Sequence, residues 1–510
     1  MLTDPRRILV CGLLLCAAPA WAESPLSAID WLSDSISAPR PPVGGQEAGI
    51  SQGALPETIE VLPLGGPLPD AVGLFPASAS GLSPDLWDGS TSADISRRIE
   101  LDRRDTLPAI RDLLYEILLA ELDPPADAGP ASSLFLSRVD TLLAFGALEQ
   151  ADALLQRAGI SNSEIFRRAF DISLLLRTEN RTCSIVRSTP ALSPTFPARI
   201  FCLARGGDWD AAALTLETGR ALGFINEEDS ELLARFLEPS LADGQPALPA
   251  PNRPSPLSFR LMEAIGEPLP TATLPLAFAQ SDLHTNAGWK AQIEAAERLL
   301  RTGAIDANQL LGLYTERKPA ASGGVWDRVA AVQKFDDALR SGDVDAINNT
   351  LRAAWNAMES VELEVPFARL FYARLQRYEI SPRNSEISFK VGILSDDFEK
   401  YSAGVSPQTV GQKFLIDIAQ GKPGTAPNTD PLALAVSEGF STIGIPVRLQ
   451  SLVSQGRMGE AILRSVELFA GGALGDVDEL TDALRFMRSV GLEDTARRSA
   501  IQLLLLERRG

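Results

Sequence analysis

The chain has 510 residues, 45% of them hydrophobic, and carries a formal charge of −19. An acidic surface of that strength repels phosphate backbones and anionic lipid, so nucleic acid and a charged membrane face are poor partners. Only 6% of the residues are aromatic, and the abundance of Leu and Ala favours helix over sheet in two or three domains.

Residues 1–22 read as a secretory signal. Arg6 and Arg7 form its basic start, residues 8–18 its short apolar run, and Ala20-Trp21-Ala22 a small-x-small cleavage site. Leu15 before Cys16 is not the small residue that lipid attachment requires. Cleavage after Ala22 would remove Asp4, Arg6 and Arg7, taking the charge from −19 to −20, and would place the mature chain in the periplasm or outside the cell. No later run reaches the ~18 to 20 uncharged apolar residues of a membrane helix, so no stable membrane insertion is expected.

In residues 23–37, Leu26, Ile29, Leu32 and Ile36 fall on one helical stripe with Trp31 beside it, Ser24 suits the cap and Pro25 the first turn. A helix this short is marginal until its stripe is covered. Two coverings are open to it: the body of its own chain, or a groove in a partner protein. Residues 38–92 are dense in Pro and Gly and are expected to form a disordered tether, reaching on the order of 150 Å at ~3 Å per residue.

Residues 93–238 carry helical periodicity in successive segments: 107–122, 133–145, 148–158, 163–176, a helix ending at Arg205, 209–222 and 227–237. A Pro-rich stretch, 239–286, reads as a linker with one short helix at 257–265. Helical pattern resumes at Trp289 and defines a second block, 287–510. Within it short β-like runs such as Ile387 to Ile393 can be read but do not make a sheet. After cleavage only Cys183 and Cys202 remain, and in an exported chain they read as one disulfide. A loop of about 20 residues closed this way contributes roughly 3 kcal/mol.

A glycine recurs five residues before a small or apolar residue that opens a helix: Gly146 and Ala151, Gly207 and Ala212, Gly342 and Ile347, Gly456 and Ala461, Gly491 and Ala496. That spacing marks the turn of an antiparallel helix pair, repeated. The best-formed copy, Gly207-Asp208-Trp209-Asp210-Ala211-Ala212, resembles the inter-helix turn of tetratricopeptide repeats, in which glycine turns, Asp caps and Ala lets the helices approach. Seven residues before each glycine, where that family has a small residue, stand Val139, Ile200, Phe335, Leu449 and Leu484. The resemblance therefore implies an irregular α-solenoid and carries over no groove residues.

Motifs for chemistry are few. Gly49-Ile50-Ser51-Gln52-Gly53 matches a nucleophile-elbow string but sits in the tether, and His284 is the only histidine. One histidine and two cysteines do not build a zinc site. Asp396, Asp397 and Glu399, and Glu227, Glu228 and Asp229, suit first turns of helices, where carboxylates meet the helix dipole. The segment 314–328 gathers Arg317, Lys318, Trp326 and Arg328 in an otherwise acidic chain and is the best surface-recognition candidate, with Trp326 in the core as the alternative. The expectation is an all-α, irregular α-solenoid in two blocks behind a disordered tether. It needs no cofactor and serves as an exported scaffold or adaptor for another envelope protein. The alternative is a periplasmic hydrolase acting on peptidoglycan through paired carboxylates.

Overall fold

The computed structural model describes residues 68–506 except 102, 103, 161, 285, 428 and 429. The signal segment, the docking residues Leu26, Ile29, Trp31, Leu32 and Ile36, and the Gly49–Gly53 string lie outside the described residues.

Within them the fold is all-α. The first helices are α1 (Ser92–Ile99), α2 (Pro108–Leu119), α3 (Ser133–Ala144), α4 (Leu148–Ala158), α5 (Ser163–Leu175), α6 (Asn180–Ser188), α7 (Phe196–Arg205), α8 (Trp209–Ala221), α9 (Glu227–Leu237) and α10 (Pro256–Ala264). There follow α11 (Trp289–Arg301), α12 (Ala307–Glu316), α13 (Val325–Ser341), α14 (Val344–Glu359), α15 (Glu364–Leu375), α16 (Ser385–Ile393) and α17 (Phe398–Gly404). The last are α18 (Val410–Ala419), α19 (Pro431–Ser441), α20 (Val447–Ser454), α21 (Met458–Ala473), α22 (Val477–Ser489) and α23 (Glu493–Leu505). Two four-residue helices, Ala77–Ser80 and Ala279–Asp282, stay unnumbered. Phe75–Pro76 (β1) pairs in parallel with Ala120–Glu121 (β2).

The repeated glycines do what their spacing predicts. Gly146, Gly207, Gly342, Gly456 and Gly491 all have φ between 72° and 91°, a region that a side chain strains and glycine does not. Each lies between two helices. Five residues on, Ala151, Ala212, Ile347, Ala461 and Ala496 are wholly buried, and so are Val139, Ile200, Phe335, Leu449 and Leu484 seven residues before. Every pair thus buries a large side chain of its first helix and a small or apolar one of its second. Asp208 caps α8 by accepting from Ala211 N at 3.3 Å, and Asp343 caps α14 by accepting from Asp345 N and Ala346 N at 3.0 Å.

The helices surround two cores, but the division does not fall at the Pro-rich stretch. The larger core joins buried residues from Val72 to Leu175 with residues from Phe259 to Leu506, and the smaller one runs from Phe166 to Met262. Helix α5 is the wall between them. Ile165, Ala169, Ile172 and Leu175 face the larger core, while Phe166, Phe170 and Leu174 face the smaller. A helix apolar on both sides is what such a position requires. The chain also returns on itself: α1 packs on α21 and α2 on α23. Ala109 N donates to Gln502 Oε1 at 2.9 Å, and Arg98 pairs with Glu467 at 2.8 Å.

Three expectations need correction. Residues 68–91, assigned to the tether, are folded onto the body. Asp70 is buried and accepts from Phe135 N at 2.7 Å. Arg138, also buried, gives Nε to Leu118 O at 2.8 Å, Nη2 to Ala120 O at 3.0 Å and Nη1 to Asp70 O at 3.3 Å, and burial lowers its pKa to about 10. Gly73 is there for close approach, since a Cβ would lie 2.1 Å from Glu121 N. The stretch 239–286 is likewise not a free linker from Pro256 onward, because α10 packs on α5 and α9 and Phe278 is buried in the larger core. Ile387 to Ile393 is helical, in α16. Its residues Ile387, Phe389, Val391 and Ile393 are all buried, so alternation there reports burial on several sides.

Candidate binding cleft

Where α2 and α4 meet the turn after α11 and the helix α15 lies a cleft of about 500 Å³. Arg111 and Asp112 of α2 and Gln150 of α4 form one side. The turn between α11 and α12 supplies Gly303, Ile305 and Asp306, and α15 supplies Pro366, Arg369 and Leu370, with Asp396 at the far lip. Its size is in the range of small-molecule and peptide pockets.

Arg369 organises the charge. Its Nη2 donates to Asp112 Oδ2 at 2.6 Å and its Nε to Asp396 Oδ1 at 3.1 Å. Burial alone would lower its pKa; the two carboxylates outweigh that and raise it. Arg111 is buried and donates to Arg301 O, and its Nη2 lies 3.7 Å from Asp112. The cations are therefore recessed, while Asp306 and Asp396 are exposed. On the α4 side, Gln150 donates Nε2 to Ala304 O at 3.2 Å, and its Oε1 is buried without a donor. Glu116, one turn along α2 from Asp112, is pushed up by burial first, then by Asp112 and Asp494, but it does not line the cleft.

The segment 314–328 divides. Trp326 packs against Trp289 with ring centroids 5.1 Å apart. Arg328 gives Nη2 and Nε to Glu297 at 2.6 and 3.0 Å, and Tyr314 Oη donates to the same buried carboxylate at 2.6 Å. Trp326 thus packs half-buried on the larger core, the alternative the sequence left open, and Arg328 is half-buried in its ion pair, so that of the four candidates Arg317 and Lys318 are the exposed ones. Arg317 pairs with its neighbour Glu316 at 2.8 Å.

Cys183 of α6 and Cys202 of α7 are both buried, with their sulfurs 2.00 Å apart, and join the two helices inside the smaller core. His284 is half-buried; burial first, then Arg177 and Arg260, lower its pKa. Of the carboxylate clusters, Glu227, Glu228 and Asp229 occupy the first turn of α9, and Glu399 in α17 pairs with Arg497 at 2.6 Å. Among the described residues no group of three or more His, Cys, Asp or Glu is placed to hold a metal ion, and no helix is long and apolar enough to cross a membrane.

Sequence reasoning missed Asp112, Arg369 and Gln150 because nothing local marks them. Asp112 and Arg369 stand 257 positions apart. In the comparisons with known proteins, no family model, no curated protein and no solved structure matches the chain.

Proposed function

We propose that this chain is an exported, non-catalytic helical scaffold that holds another protein of the cell envelope. The observation that carries this reading is the pairing of the cleft's carboxylates. Asp112 and Asp396 both accept from the one Arg369 guanidinium, at 2.6 and 3.1 Å. A glycan hydrolase needs two carboxylates facing each other across the scissile bond, whereas these two are tied to a single arginine, so the arrangement suits binding better than bond cleavage. The disulfide between Cys183 and Cys202 suits an oxidising compartment, and the signal at residues 1–22 would supply the route. The glycine turns between helices, with Ala151, Ala212, Ala461 and Ala496 buried on the second helix, support a tetratricopeptide-like repeat that lacks the family's small residue on the first.

The partner would be met in two places. The amphipathic segment 23–37 would dock on it, and the exposed Arg317 and Lys318 and the cleft would contact it by shape and charge. Crosslinking in the intact envelope followed by pull-down tests this, comparing the mature chain with one lacking residues 23–37. A discrete partner whose yield falls on deletion is expected. Recovery of no partner by either form would overturn the scaffold reading, and equal recovery would remove the docking segment from it. N-terminal sequencing of the exported protein should begin at Glu23.

A further inference from the structure

A second cavity, of about 300 Å³, lies between α15, α16 and α17. The whole chain has five tyrosines, and Tyr372, Tyr378 and Tyr401 line this one space, with Leu375, Ile380 and Val405 as its aliphatic remainder. Such a concentration is not needed for filling a core, because a core here is filled by Leu, Phe and Ala.

The rings are held as walls. Tyr372 and Tyr401 stand at 83° with centroids 5.7 Å apart, and Phe389 backs Tyr401 at 6.1 Å. The Tyr401 ring is pressed on Gly392, where a Cβ would fall between 2.4 and 2.6 Å from Cζ and both Cε atoms. That contact fixes the plane of the ring from behind. Tyr378 Oη donates to Leu339 O at 3.4 Å, so its ring too is tied at the outer end. Asp397, just before α17, is near enough to Tyr372 to help raise its pKa after burial has done so.

Three phenol rings lining a small space, two of them at right angles to each other, a carboxylate close by and an acidic chain are the elements that attract a weakly hydrated cation through the ring quadrupoles. An ammonium that keeps its N–H groups would need acceptors, and the side chains of the lining offer Gln376, Ser388 and the phenol oxygens but no carboxylate. A quaternary ammonium has no N–H to satisfy and presents a sphere of methyl groups, which the aliphatic wall accommodates. We propose that the space between Tyr372, Tyr378 and Tyr401 is a binding site for a trimethylammonium group. The group would come from a free solute such as choline or betaine, or from a choline lipid headgroup, and the site is independent of the cleft and of any partner protein.

The test is titration calorimetry on the mature protein with choline and with 3,3-dimethyl-1-butanol, its uncharged isostere. Choline should bind about tenfold more tightly, the margin expected of a partly desolvated cation–π site. Tyr378→Leu should weaken choline by a similar factor, and Tyr401→Phe, which keeps the ring, should leave it unchanged. Both variants need native circular dichroism, and Tyr378→Leu is chosen because that ring is half-buried whereas Tyr372 is buried. Sedimentation with phosphatidylcholine vesicles, competed by free choline, separates the lipid source from the solute. Equal affinity for the neutral isostere, or no binding of choline in either arm, would overturn the proposal.

Discussion

The indole of Trp87 lies directly on the backbone of Gly459, at the first turn of α21. A Cβ on Gly459 would come within 2.5 Å of the Trp87 ring, and Gly459 N donates to Leu86 O at 2.9 Å. This contact joins the start of the folded chain to its last helices. Gly459→Ala should therefore destabilise the protein by about 1–3 kcal/mol through overpacking. Trp87→Ala should remove about 3–5 kcal/mol by opening a cavity. Urea unfolding measures both, and each variant should also make residues 68–91 easier to cleave with protease.

The turn glycines are not equivalent. Gly207 has φ 85° with open space where a Cβ would stand, whereas at Gly146, φ 76°, a Cβ would meet Leu299 Cδ2 at 2.6 Å. Gly207→Ala should cost about 1–2 kcal/mol of backbone strain alone. Gly146→Ala adds a clash inside the larger core and should cost at least about 1 kcal/mol more. Thermal unfolding of the two variants side by side decides this.

Reduction of the disulfide should act on one core. Cys183 and Cys202 are 19 residues apart and both belong to the smaller core, so opening the loop should lower its stability by about 3 kcal/mol. Calorimetry with and without reductant should show the smaller core melting earlier. A uniform shift of the whole transition would mean the two cores unfold as one.

Asp171, in the shared helix α5, is fully buried among the arginines of that helix. Burial pushes its pKa up to about 7 against the opposing charges of Arg167 and Arg168. Its folded pKa exceeds its unfolded value, so the stability it contributes is complete below about pH 4 and is lost as pH rises to about 7. Asp171→Asn should gain on the wild type over that window, by on the order of 2–4 kcal/mol above pH 7. Denaturant titrations at pH 4, 6 and 8 give the slope, and a pH-independent difference would contradict it.

Much of this architecture was readable from local rules. Gly207 and Asp208 mark their turn and cap chemically, and α3, α4, α5, α8 and α9 begin and end within about two residues of their periodic segments. What failed was everything decided across the chain. Gly73 and Gly459 look like flexible positions until the backbones they admit, near Glu121 and Trp87, are in view. Arg328 reads as a surface cation because its partner Glu297 stands 31 positions away. The cleft was illegible for the same reason, since Asp112 and Arg369 meet only when the chain's first helices return to its later ones. The tyrosine cavity was closer to legible: Tyr372, Tyr378 and Tyr401 fall within 30 residues, though nothing local says their rings face a common space.

The account depends most on the return of the first helices onto the last, α1 on α21 and α2 on α23, because it closes the larger core. Hydrogen exchange of the mature protein, read by mass spectrometry, tests it directly through α1, α2, α21 and α23. The interlocked structure predicts strong protection in all four, with Gln502→Ala accelerating exchange at the start of α2, where Ala109 N loses its acceptor. Rapid exchange of residues 68–119 alongside a protected C-terminal half would show that the two ends do not meet, and would contradict it.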